Sequence, residues 1–182
     1  MKVSSLLKGG YMPRNLMSIQ DIKELNKLLR QVFEFITNLK QENRLANKIK
    51  YPQLPSILTE SLAIHLLKKK MIIQNLEGFD FNFGGRTADI LATKNSKTIK
   101  IEVKATAKSA FQYFGEKDIS ADYILWFHFA EFYMNSEDTN IEVYTIQKPG
   151  DYFQTPVKIT LSKLKQVIET NLEKIDLDIN SL

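Results

Sequence analysis

The sequence contains no cysteine in 182 residues. That excludes a disulfide framework and a thiolate zinc site, and it suits the interior of a cell. Two histidines argue against a multi-histidine metal centre. No stretch approaches the ~18–20 uninterrupted apolar residues of a membrane span. The start, MKVSSLLKGGYMPRN, lacks the apolar core and cleavage site of a secretory signal. A cytoplasmic protein with no membrane partner is therefore expected. Also missing are an internal repeat, a glycine-rich phosphate loop, a zinc finger and a separate helix-turn-helix module.

Net charge is modest at +4, and hydrophobic residues make up 43% of the chain, enough for a real core. The length suits a single domain over 1–182, with a core at about 56–130, an N-terminal helical extension over 1–55 and a C-terminal strand and helix in 131–182. Charge is unevenly spread. Residues 1–50 carry ten Lys/Arg against four Asp/Glu, whereas 131–182 carry five against nine. A basic N-terminal third is compatible with phosphate contacts there and with an acidic end turned away from nucleic acid.

Residues 1–17 have no period and read as a loop. From Ser18, apolar residues recur at three- and four-residue steps from Ile22 to Leu39, and Ser18 with Asp21 forms a capping-box-like start. A connector broken by Pro52 and Pro55 follows, and Ser56 is placed to cap a second helix running from Ile57 to about Lys70. Glu60 falls in the middle of an apolar stripe of that helix, where a carboxylate needs a partner. Phe79–Phe83 reads as a strand, ended by Gly84-Gly85 with Arg86 behind them. The glycines serve either a turn or a close approach of backbone to a ligand.

Thr87–Lys104, TADILATKNSKTIKIEVK, reads as a β-hairpin around Asn95-Ser96. A two-residue turn there makes antiparallel partners sum to 191, so Asp89 lies opposite Glu102 and Ile90 opposite Ile101. One face then carries Ala88, Ile90, Ala92, Ile99, Ile101 and Val103, and the other Thr87, Asp89, Thr93, Lys100, Glu102 and Lys104. Two carboxylates opposite each other on a sheet repel unless a cation sits between them, and their oxygens suit a hard ion such as Mg²⁺. Lys104 adds an ammonium on the same side.

Downstream, TAKSAFQYFGEKD reads as a helix of two to three turns with Lys108, Gln112 and Glu116 on one face. Tyr123–Phe129 is an apolar run expected of a strand buried on both sides. His128 within it reads as a buried, hydrogen-bonded side chain rather than a general base. A strand at Ile141–Gln147 and a helix from Leu161 to Ile175 complete the chain before an acidic tail. The fold class is α/β: an αβββαβ core with a mixed sheet flanked by helices, an added N-terminal helix, and a C-terminal strand and helix.

Asp89, twelve intervening residues, then Glu102-Val103-Lys104 resembles the signature of the PD-(D/E)XK nucleases, the superfamily that includes most type II restriction endonucleases. The resemblance covers about 56–130, and the order of elements is similar to that of the superfamily. Ala88 stands where the family often has proline. The resemblance implies a Mg²⁺-dependent endonuclease acting on double-stranded DNA. Asp89, Glu102 and the Val103 carbonyl would be metal ligands, Lys104 would be catalytic, and Glu60 would complete the site as the acidic residue of the preceding helix. Arg86, Ser109 and Gln112 are candidates for substrate contact or site support, while the roles of Glu116 and His128 stay open. The economy of the chain is similar to that of small homodimeric restriction enzymes and of small cleavage subunits of heterodimeric type IIS enzymes, which depend on a large subunit. No stretch concentrates the side chains of direct base readout, which favours the subunit reading. The alternatives are a structure-selective or repair nuclease of the same fold and a DNA-binding protein without catalysis.

Overall fold

The computed structural model describes residues 15–108, 111–135 and 137–182. Helix α1, Ile19–Glu42, opens on the expected capping box: the Ser18 side chain accepts from the Asp21 amide and Asp21 returns the bond to Ser18. Helix α2, Ser56–Lys68, starts one residue earlier than expected, with Pro55 rather than Ser56 at the N-cap. Strands β1 (Asp80–Phe83), β2 (Ile90–Lys94) and β3 (Lys97–Thr106) follow as an antiparallel meander. Its register is the expected one, with Ile90 paired to Ile101 and Lys94 to Lys97. At the turn, Asn95 takes φ 53°, a left-handed conformation that asparagine tolerates.

The chain then departs from the expected helix after Lys104. It forms strand β4, Phe111–Phe114, and a single turn of helix, α3, Glu116–Ile119. The physical reason is a long-range partner: β4 pairs antiparallel with β7, Val157–Thr160, as a separate two-stranded sheet. That pairing buries Phe114 against Trp126 and Phe153, with ring centroids 6.2 and 5.7 Å away. The proposed four-residue spacing of Lys108, Gln112 and Glu116 on one helical face is not realised.

Strand β5, Tyr123–His128, is buried at all six positions, as its apolar run requires. It pairs parallel with β3 and antiparallel with β6, Asn140–Gln147. The C-terminal helix α4 covers only Leu161–Ile168 and gives way at Glu169, φ 50°. Glu173–Asp178 is strand β8, paired with β6, which places Ile175 opposite Val143 and Leu177 opposite Ile141. The expected extension of the helix to Ile175 loses to that alternation, because Leu177 and Ile179 bury their side chains at the sheet edge.

The main sheet is mixed, in the order β1-β2-β3-β5-β6-β8, with a different core on each face. Ile90, Ile101, Leu125, Phe127 and Val143 pack against α1 and α2 through Ile22, Phe33, Leu58 and Leu62. Ile124, Trp126, Tyr144 and Ile146 pack against Phe114, Phe153, Ile159 and Leu164 of the opposite layer. Among the described residues no helix is long and apolar enough to cross a membrane.

Residues 111 and 114 decide between strand and helix. On a helix, positions three apart share a face; on a strand they point to opposite faces. Phe114→Ala should cost about 3–5 kcal/mol in urea unfolding, whereas Phe111→Ala should stay within about 0.5 kcal/mol, as exposed positions do. Equal losses at both positions would contradict the strand.

Candidate active site

The alternation of β3 separates two chemistries. Ile99, Ile101 and Val103 join the helical core, while Glu102, Lys104 and Thr106 project from the other face. Asp89 immediately precedes β2 and continues the register so that it stands opposite Glu102. Its Oδ2 accepts the Val103 amide at 2.8 Å. The Gly84-Gly85 turn sets this approach. Gly84 donates its amide to the Asp89 carbonyl at 3.0 Å, Gly85 has φ 63°, and a Cβ on Gly84 would lie 2.6 Å from the Ala88 carbonyl oxygen. The glycines are therefore accounted for by the turn, and Arg86 is exposed upon it.

The cation between the two carboxylates is a lysine that the hairpin pattern does not contain. Lys117 Nζ, carried by α3, lies 3.2 Å from Asp89 Oδ1 and 3.1 Å from Glu102 Oε2. Lys104 is engaged by the next residue of the same turn, with Nζ 2.7 Å from Asp118 Oδ1. Asp118 Oδ2 in turn accepts the Gly115 amide at 2.8 Å, which fixes the turn to the end of β4.

Glu102 is 2% exposed, and its Oε1 is buried with no hydrogen-bond partner. Burial first, and then the charge of Asp89, push its carboxyl up from 4.5 to about 7, against the pull of Lys117. Lys117 is itself held above its ordinary value. Burial works to lower it, but its bonds to Glu102 and Asp89 and their charges prevail.

The structure thus brings together Asp89, Glu102, Val103 and Lys104. Glu60 is 4% exposed within α2, whose neighbours pack on the helical face of the sheet. The acidic groups acting on Glu102 are Asp89 and Asp118, and no cluster of three His, Cys, Asp or Glu that could hold a metal exists among the described residues. Gln112 donates from Nε2 to the Ala105 carbonyl at 2.7 Å, bracing β4 against β3. Glu116 is exposed at the start of α3. His128 is buried with Nδ1 2.8 Å from Thr106 Oγ1, and burial lowers its pKa, which accords with a buried, hydrogen-bonded histidine. Ser109 lies outside the described residues. Lys117 and Asp118 were missed by sequence reasoning. Their signal was the GEKD tetrapeptide, legible only once β4 is read as a strand that delivers a turn to the hairpin.

This donor set fits Mg²⁺. The carboxylate pair already holds a monovalent cation, one buried oxygen lacks a partner, and Mg²⁺ is commonly bound by one or two carboxylates with water and substrate oxygens supplying the rest. Compared with family models, curated proteins and solved structures, the chain matches none.

If the Lys117 ammonium occupies the seat a divalent ion would take, Lys117→Gln should raise Mn²⁺ affinity by roughly tenfold, about 1.4 kcal/mol, in calorimetric titration without nucleic acid. Unchanged or weaker binding would remove Lys117 from that seat. The pH dependence has a definite sign. A carboxyl whose pKa is higher in the folded state keeps its proton where the unfolded chain has lost it, so stability falls as pH rises from about 4.5 to about 7. In EDTA the loss should be on the order of 3 kcal/mol, and Glu102→Gln should flatten it in urea unfolding.

Proposed function

We propose that the protein is a Mg²⁺-dependent endonuclease that hydrolyses DNA phosphodiesters, with a restriction-endonuclease-like core of the PD-(D/E)XK type. The observation that carries this reading is the opposed pair Asp89 and Glu102 on one sheet face, Glu102 buried and Asp89 partly so, with a cation between them and Lys104 on the same face. The meander β1-β2-β3 joined through a parallel crossover to β5 supports it at the level of topology.

Asp89, Glu102 and the Val103 carbonyl would hold the metal. When bound, the ion supplies Lewis acidity toward the phosphate and lowers the pKa of a coordinated water. Lys117 must withdraw to solvent for this to happen, and its half-exposed side chain permits it. Lys104, aligned by Asp118, places an ammonium where negative charge builds up on the phosphoryl oxygens, and it orients the attacking water. Glu60, buried in α2, would support the metal or place a second ion. A partner chain would supply sequence recognition and a second site, either a large subunit or another copy of this chain. Leu28, Val32 and Phe35 support such a partner, because they lie exposed along one side of α1.

A second reading has its own observation. The ion pairs of Lys117 and Lys104 leave the carboxylates largely neutralised, as a DNA-binding protein without catalysis would have them. Plasmid digestion separates the two. With Mg²⁺, the wild type should nick or cut supercoiled DNA, alone or with its partner chain, and EDTA should abolish the activity. Asp89→Ala, Glu102→Ala and Lys104→Ala should each lower the rate by at least about a hundredfold, and Glu60→Gln should lower it less. Undiminished cleavage by Glu102→Ala would sink the nuclease assignment.

A further inference from the structure

A cleft of about 520 Å³ opens between the connector before α2, the end of β3 and the start of β4, with Tyr51, Gln53, Thr106, Lys108, Phe111 and Gln112 among its lining residues. Its size falls within the ~300–1,000 Å³ usual for small organic ligands. Its chemistry is one-sided, because among the described residues no carboxylate lines it. Tyr51 is a fixed wall: its ring stacks on Phe33 at 5.0 Å and its hydroxyl lies 3.0 Å from Thr37 Oγ1. Two ammonium groups converge on that ring, Lys40 at 4.2 Å and Lys108 at 5.1 Å from the centroid. Neither forms an ion pair among the described residues, so two like charges gather with no anion to balance them. On the opposite wall Phe111 is 43% exposed and Tyr113 beyond it 59%. Lys158 from the paired strand β7 stands 4.3 Å over the Phe111 ring.

The position is as informative as the composition. Thr106 projects from the same β3 face as Glu102 and Lys104, four residues further on, a distance of about 13 Å along a strand. The cleft thus opens past the end of β3, between the connector on the helical side of the sheet and β4 on the side that carries the carboxylate pair. Aromatic walls interleaved with lysines, free of acidic groups, are how proteins hold an unstacked nucleic-acid strand: rings stack on bases while ammonium groups meet phosphates.

We propose that this cleft seats an unpaired nucleotide of the DNA strand engaged at Asp89 and Glu102. Its phosphate lies at Lys40 and Lys108, and its base lies against Phe111. The proposal rests on the nuclease reading for the identity of the strand and adds to it a preference for DNA that carries an unpaired or unstacked segment beside the scissile bond.

Binding in EDTA tests it without cleavage, by fluorescence anisotropy of a labelled oligothymidine and of a blunt duplex of equal length. The wild type should hold the single strand roughly tenfold or more tightly than the duplex. Phe111→Ala with Lys108→Ala should remove that preference. Each lysine removed at Lys40 or Lys108 should lower the slope of log affinity against log salt by about 0.7. The paired change Lys68→Ala and Lys69→Ala, at the exposed end of α2, controls for net charge and should leave the preference intact. Equal affinity for both DNAs, or no effect of the Phe111 and Lys108 changes, would overturn the proposal. So would displacement of the oligothymidine by equimolar thymidine monophosphate, which would assign the cleft to a free mononucleotide. Plasmid cleavage keeps the two readings apart. If the wild type cuts but the cleft variants bind and cut unchanged, the cleft proposal fails alone. If Glu102→Ala still cuts while the strand preference stands, the nuclease assignment fails alone.

Discussion

Two carboxylates placed opposite each other on one sheet face must be neutralised, and much of the second layer follows from how this is done. Asp89 and Glu102 are close enough to repel and Glu102 is almost fully buried, where an unpaired charge costs several kcal/mol. Lys104 of the hairpin is tied to Asp118 instead. Lys117 supplies it. For Lys117 to reach the pair, α3 must sit against the hairpin, β4 must hold α3 there, and β7 must hold β4. The small two-stranded sheet is thus the support that carries a lysine to the carboxylates.

The same strand separates this polar layer from the helices. Alternate residues of β3 feed the core beneath α1 and α2 or face the layer of β4, β7 and α4, so Ile101 and Glu102 share a backbone and no environment. That separation is why Glu60, although buried, does not join Asp89 and Glu102 in a three-carboxylate cluster.

Legibility in the sequence followed the range of the interaction. The capping box of α1 lies within three residues, and the β2–β3 hairpin closes through the short turn at Asn95 and Ser96. Both were read correctly with their register. The buried run of β5 announced itself by composition alone. The stretch containing Phe111–Phe114 did not, because four residues with aromatics at three positions satisfy a helical and an extended pattern equally. The alternation of Ile175, Leu177 and Ile179 was visible, but it directly follows the apolar spacing of α4, and helix periodicity can absorb one further hydrophobic residue.

What the sequence by itself determined was the opposition of Asp89 and Glu102 and the position of Lys104 beside them, because side chains alternate with period two and a two-residue turn leaves one register. What only the tertiary structure decided was which cation answers those charges and on which side each remaining group falls. Lys117 reaches the pair through a strand whose partner, Val157–Thr160, lies far along the chain, and Glu60 is buried in α2, whose neighbours pack on the helical face of the sheet. Such placements depend on long-range pairing and on which face a helix covers, and no local period in the sequence encodes either.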